Sequence, residues 1–248
     1  MNLEKPKVEI IFENENYMVL NKPPFLSVHQ DGKRKEYTLS DWVLENYPET
    51  ENVGEDILTS NGVVIKKPGL VHRLDKNTSG IILVAKNQKT YLFFKELFQE
   101  RKIQKKYKAF VYGKSVFDKK IITAEIGRSK NDFRKYTTGR GVRGKTRDAK
   151  TEYETIAKND KFSYLLVSPK TGRTHQIRVH LKYDNLPIVA DTLYAGKKVS
   201  ENEEENLFFQ RQALHAYSLF FIDQNGEKKE FIAEVPQDFK KAEKILGL

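Results

Sequence analysis

Short strand-like runs joined by hairpin-length links dominate this sequence and leave few topologies open to it. Val8–Phe12 and Tyr17–Leu20 flank the polar turn Glu13–Asn16, and Ser218–Ile222 and Glu230–Ala233 flank Asn225-Gly226, a strong short turn signal. Between them lie Ile81–Ala85, whose unbroken apolar run suits a buried strand, and Tyr107–Tyr112, Lys150–Ile156, Phe162–Ser168 and Thr174–Leu181. Helical patterns are fewer. Ser40–Tyr47 has Ser40 placed as N-cap and Asp41 at the positive end of the dipole. Asn87 caps Gln88–Arg101, which turns Phe94 and Leu97 inward, and Pro236–Leu246 carries its proline near the first turn. Residues 48–69 read as loop with room for one small hairpin. The balance predicts an α+β class with a mostly antiparallel sheet and no internal repeat.

Composition narrows the function classes. With 44 Lys+Arg against 34 Asp+Glu, the net charge is +10, which points toward polyanionic partners. No apolar run reaches the roughly 18 residues of a membrane span, so no membrane association is expected. The first twenty residues are too charged for a signal peptide. The absence of Cys excludes disulfide scaffolds, thiolate zinc sites and cysteine nucleophiles, and it fits a reducing cytoplasm. The segment Arg128–Arg147 is rich in Lys, Arg and Gly, with Phe133, Tyr136 and Val142 nearly its only apolar residues. It reads either as a solvated loop or as an arm that neutralises RNA phosphates through Arg134, Lys135, Arg140, Arg143, Lys145 and Arg147. The acidic tract Glu201–Glu205 reads as solvated.

Two polar clusters carry the candidate chemistry. Leu70–Gly80 packs His72, Arg73, Asp75, Lys76, Asn77, Thr78 and Ser79 just before the apolar run Ile81–Ala85. It is either an active-site loop anchored by a buried strand or an ordinary turn in which Asp75 and Thr78 bond local backbone. Lys170–Leu181 is the second, and its strand Thr174–Leu181 sets Thr174, Gln176, Arg178 and His180 on one face and His175, Ile177, Val179 and Leu181 on the other. A buried Arg178 there requires a carboxylate partner. His175 and His180, on opposite strand faces, cannot chelate one metal, so no metal is expected. Gly139 with Gly144-Lys145-Thr146 fits the phosphate-loop spacing, but no strand precedes it and no apolar helix follows. No GxGxxG follows a strand.

His72-Arg73-Leu74-Asp75-Lys76-Asn77-Thr78-Ser79-Gly80 resembles the HRLDxxTSG signature of the RluA-type RNA pseudouridine synthases. Lys106–Gly113 and Thr171–His180 agree with two further family segments in the same order, so the resemblance spans roughly residues 8–240. It implies a pseudouridine synthase fold: a mostly antiparallel mixed sheet flanked by helices and loops around a central RNA-binding cleft. It implies isomerisation of uridine to pseudouridine within ribosomal or transfer RNA, without cofactor or metal. Asp75 matches the catalytic aspartate, Tyr107 the active-site tyrosine that stacks on the flipped uracil, and Arg178 the arginine that pairs with the aspartate. Arg73 matches the residue that fills the vacated space, and His72, Thr78, Arg173, His175 and Gln176 fall in the substrate-binding motifs. Many relatives begin with an S4-type RNA-binding domain. Here the first strand starts at Val8, so one catalytic domain over 1–248 is expected, with RNA held by the domain itself and no obligate protein partner. A catalytically inactive RNA-binding or ribosome-assembly factor on the same fold is the alternative. The intact Asp75, Tyr107 and Arg178 argue against it, and no second acid in either motif supports a hydrolase.

Overall fold

The computed structural model describes residues 5–30, 36–59 and 62–248. Along the chain run β1 (Glu9–Glu13), β2 (Tyr17–Lys22), α1 (Leu39–Asn46), β3 (Ile57–Leu58), β4 (Val64–Ile65), β5 (Ser79–Ala85) and α2 (Gln88–Gln99). There follow β6 (Gln104–Tyr112), β7 (Lys119–Thr123), β8 (Ile126–Ser129), β9 (Tyr136–Thr138), β10 (Val142–Arg147), β11 (Lys150–Lys158) and β12 (Phe162–Pro169). The chain ends with α3 (Gln176–Tyr183), β13 (Leu214–Ile222), β14 (Lys228–Ile232) and α4 (Gln237–Ile245). Two compact units result: Met1–Ile103 with Ser218–Glu234, and Gln104–Tyr217 with Val235–Leu248. Among the described residues no helix is long and apolar enough to cross a membrane.

In the first unit β2 lies antiparallel between β1 and β5. Every residue of β5 is buried, as its unbroken apolar run requires. Tyr17, Val19, Ile81 and Leu83 meet Phe94 and Leu97, the inner face of α2, whose first turn is capped by the Asn87 side chain on the Thr90 N–H. The small hairpin expected within 48–69 is β3–β4. The cap of α1 differs from expectation. Thr38 is the N-cap, in a reciprocal box with Asp41, while Ser40 is buried and donates to the Val28 carbonyl at 3.0 Å. Thr38 wins because its position leaves Asp41 three residues on, where the carboxylate reaches back to the Thr38 N–H.

In the second unit the order β6-β12-β11-β7 is antiparallel throughout. Phe110 stacks on Tyr164 at 4.2 Å, and Phe209 and Phe239 close the core around that pair. Two expectations fail here. Thr174–Leu181 is not a strand: residues 176–183 form α3. Gln176 through Leu181 are all buried, so no face alternates between core and water, and surrounding packing overrides the β-branched bias of Ile177 and Val179. The argument from His175 and His180 on opposite strand faces lapses with it. The basic segment, in turn, is not a loop. β8, β9 and β10 form a three-stranded antiparallel sheet in the order β10-β8-β9. A Cβ at Gly127 would lie 2.3 Å from Val142 Cγ1, so only glycine permits β8 and β10 to approach there. Against expectation a strand does precede Gly139, since β9 ends at Thr138, and Gly139-Arg140-Gly141-Val142-Arg143-Gly144 spells GxGxxG directly after it. Gly144-Lys145-Thr146 nevertheless lies within β10, and β11, not an α-helix, follows, which removes the phosphate-loop and dinucleotide readings.

Candidate active site

Asp75 occupies a turn built before the buried strand. Gly69, at φ +62°, starts the segment, and a Cβ there would fall 2.0 Å from the Ala85 carbonyl oxygen. The chain therefore passes tight against the end of β5, where Ala85 N–H donates to Gly69. His72 accepts the Leu83 N–H on Nε2 at 2.9 Å and packs on Phe98 at 4.8 Å between ring centres. Its Nε2 is thus spent on the strand, which fixes the loop to β5. Thr78 N–H closes the turn on the Asp75 carbonyl at 3.0 Å, and Thr78 and Ser79 are buried. Asp75 is half-buried and Arg73 is exposed.

Sequence reasoning missed Lys22. Its side chain is fully buried, and its ammonium donates to the carbonyls of Pro23 (2.8 Å), Leu26 (2.8 Å) and Lys76 (3.0 Å). An ammonium has three N–H donors, and these three carbonyls take them. One lies in the Asp75 turn, so Lys22 pins that turn to the end of β2 with a buried positive charge. The only sequence hint was a lysine inside Asn21-Lys22-Pro23-Pro24, a break in the strand pattern. Nearby, burial first and then the cations of Arg73 and Lys67 lower the His29 pKa to about 4.

In the second unit, Tyr107 sits on β6 opposite Val167, half-buried against the core. Arg178 on α3 is buried and, as burial demanded, meets a carboxylate. Its Nε donates to Asp191 Oδ2 at 2.7 Å and its Nη2 to Oδ1 at 2.9 Å. Asp191 is buried too and also receives the N–H groups of Leu193 and Tyr194, each at 3.1 Å. Sequence reasoning missed Asp191, because nothing in Asp191-Thr192-Leu193-Tyr194 separates it from a surface turn. Gln176 serves the fold. Its Oε1 accepts from Thr171 Oγ1 and the Arg173 N–H, while its Nε2 donates to the Lys150 carbonyl and Thr151 Oγ1. The Thr171–Arg173 loop is thereby tied to β11, and Arg173 Nε donates to the Asp148 carbonyl at 3.0 Å. His180, one turn after Gln176, uses both ring nitrogens on Thr151 Oγ1 and the Ala124 carbonyl, and burial lowers its pKa. His175, at φ 55°, bonds Tyr194 through Nδ1 at 2.7 Å. Among the described residues no three His, Asp or Glu side chains gather to hold a metal ion.

The small basic sheet presents Arg140, Arg143, Lys145 and Arg147 to solvent. Arg134 differs from these, because its Nε and Nη2 clasp both oxygens of Asp132 at 3.0 and 2.9 Å. That contact holds the Asp132 carboxyl down to about 2. Lys135 is half-buried and 3.8 Å from the same carboxylate. Phe133, at the tip between β8 and β9, is 78% exposed.

A family model described as RNA pseudouridylate synthase matches residues 16–183, a span that contains Lys22, Asp75, Tyr107 and Arg178. A protein of Borreliella burgdorferi named ribosomal large subunit pseudouridine synthase D is 34% identical over 233 residues, which are 94% of this chain and 66% of that protein. A Bacillus subtilis protein named uncharacterized RNA pseudouridine synthase YlyB is 34% identical over 239 residues, 95% of this chain and 71% of that one. The chain thus spans about two thirds of the length of these relatives. The solved human RNA Pseudouridylate Synthase Domain Containing 4 superimposes with a TM-score of 0.74 at 22% identity, covering 96% of this chain and 93% of that one, and shares the fold. The turn that carries Asp75 and the helix that carries Arg178 lie inside the matched span, and this chain belongs to the RNA pseudouridylate synthase family.

Proposed function

We propose that this chain converts uridine to pseudouridine in RNA, with ribosomal RNA as the substrate class. The observation that carries the reading is the construction of the Asp75 turn, pinned by the buried Lys22 ammonium and closed by the Thr78 N–H inside the family span. Reaction at C1′ needs a carboxylate held still beside a base that has left its stack, at a cost of a few kcal/mol. The C1′–N1 bond breaks with Asp75 assisting, the uracil turns, and a C1′–C5 bond forms. The C5 proton departs and N1 gains one, so atoms balance without a cofactor. Tyr107 stacks on the uracil, and Arg178, oriented by Asp191, supports the reacting carboxylate. Exposed Arg73 occupies the space the base vacates. The Arg140, Arg143, Lys145 and Arg147 cations bind phosphates, and Phe133 offers a stacking face. Gln176, His72 and Thr78 position loops. The name of the Borreliella burgdorferi relative supports ribosomal RNA, and on such a substrate the protein would act in the cytoplasm.

Mapping pseudouridines in total RNA from cells with and without the protein tests this. Loss of one or more ribosomal RNA sites is the expected result. Loss confined to transfer RNA overturns the substrate class, and an unchanged map overturns the activity.

A further inference from the structure

Tyr194 touches three elements at once. Its ring lies under the Arg178 guanidinium, with Cζ 4.8 Å from the ring centre. Its backbone N–H donates to Asp191, the carboxylate that clasps Arg178. Its hydroxyl accepts the N–H of Tyr136, the first residue of β9, at 2.9 Å, and bonds His175 Nδ1 at 2.7 Å. A buried phenol needs one hydrogen-bond partner. This one has two, one on the basic sheet and one at the N-cap of α3.

The surroundings strengthen the connection. Ile126 of β8 and Ala149 pack with Tyr194 and Val179 of α3 in a separate small core. The Tyr136 ring stands edge-on to His175 at 5.8 Å and carries Arg128 over its face at 5.5 Å. His175 is held at φ 55°, a left-handed conformation that a residue with a Cβ keeps only where its neighbours impose it. The sheet that bears the exposed cations is therefore joined to the Arg178–Asp191 pair through one hydroxyl and one ring.

We propose that Tyr194 is a positioning residue: RNA held on the β8–β10 sheet sets the placement of Arg178 through it. This rests on the reading of the chain as an RNA-modifying enzyme. A double-mutant cycle tests the coupling, because independent sites add and coupled ones do not. One arm is Tyr194→Phe, which keeps the ring under Arg178 and deletes the hydroxyl. The other is Arg143→Gln with Lys145→Gln and Arg147→Gln, which removes phosphate contacts. The probe is in vitro transcribed large-subunit ribosomal RNA of the same organism at saturating concentration.

The single-turnover rate should fall about tenfold for each arm and no further when both are combined. Hydrogen exchange at the amides of 176–183 and 191–195 gives a second readout that does not depend on turnover. RNA should slow it in the wild type and not in Tyr194→Phe, whose melting confirms that it is folded. Additive rate losses, or the same RNA-dependent slowing in Tyr194→Phe, would overturn the coupling. A wild type that binds the RNA without converting it speaks against the enzymatic reading alone, since the exchange comparison still decides the coupling.

Discussion

Removing the Asp191 carboxylate should unseat Arg178 at a cost that the structure makes large. The carboxylate accepts two bonds from the guanidinium, at 2.7 and 2.9 Å, and two from backbone N–H groups at 3.1 Å. The Arg178 and Asp191 side chains are only 7% and 1% exposed, so water does not replace what is lost. Deleting one partner of such a buried pair costs about 3–5 kcal/mol. A chain of 248 residues loses roughly 2–4 °C of melting temperature per kcal/mol, which places Asp191→Ala about 6–20 °C below the wild type. Asp191→Asn keeps the volume and one acceptor oxygen for Leu193 and Tyr194, yet turns an N–H toward the guanidinium, and should recover only part of that loss. Calorimetric melts of the three proteins at one pH and salt measure it. A wild-type melt for Asp191→Ala would refute the reasoning, because Arg178 would then be held by something other than this carboxylate.

Lys22→Met removes the donor of three carbonyls, that of Leu26 buried, while relieving the burial of an ammonium. The single-turnover rate should fall at least tenfold with RNA affinity within threefold, and a full rate would show that the Asp75 turn holds itself. The lowered His29 pKa sets a pH dependence with a definite sign. The unfolded imidazole takes a proton near 6.5 and the folded one near 4, so this group's contribution is present above 6.5 and is lost as pH falls toward 4. Melts of His29→Gln across that window should fall less steeply than the wild type, and parallel curves would contradict the burial argument. Neutralising Arg140, Arg143, Lys145 and Arg147 together should reduce the slope of log K against log[salt] by about 3, whereas Phe133→Ala should weaken RNA binding with the slope unchanged. Salt titrations with the RNA found by mapping separate the two, and an unaltered slope for the four-cation variant would return the sheet to a solvated face.

The apolar framework was legible because β2, β5 and the second half of β6 carry apolar runs that suit a buried strand, and because Asn87 and Asn225-Gly226 are local signals with local causes. The Asp75 cluster was legible as residues in sequence, and its place before β5 followed from the apolar run. The Lys170–Leu181 segment misled because Thr, Ile and Val favour strands. The decision was made instead by Thr151, Asp191 and the core, contacts to distant parts of the chain that no spacing rule encodes. The basic segment looked like a loop because its β-sheet is small and mostly exposed, so its strands lack the apolar alternation that marks a half-buried one. Lys22 and Asp191 were invisible for a related reason. A buried charge is recognisable only from what surrounds it.

Asp75 is proposed to do the chemistry of uridine isomerisation. Wild-type protein and Asp75→Asn, both purified, should be incubated with the RNA identified by mapping, above the concentration that saturates binding, and pseudouridine counted per RNA molecule. The wild type should fill its product site and Asp75→Asn should fill none, with RNA affinity within a few-fold because phosphate contacts supply it. Product from Asp75→Asn at a rate near that of the wild type would contradict it.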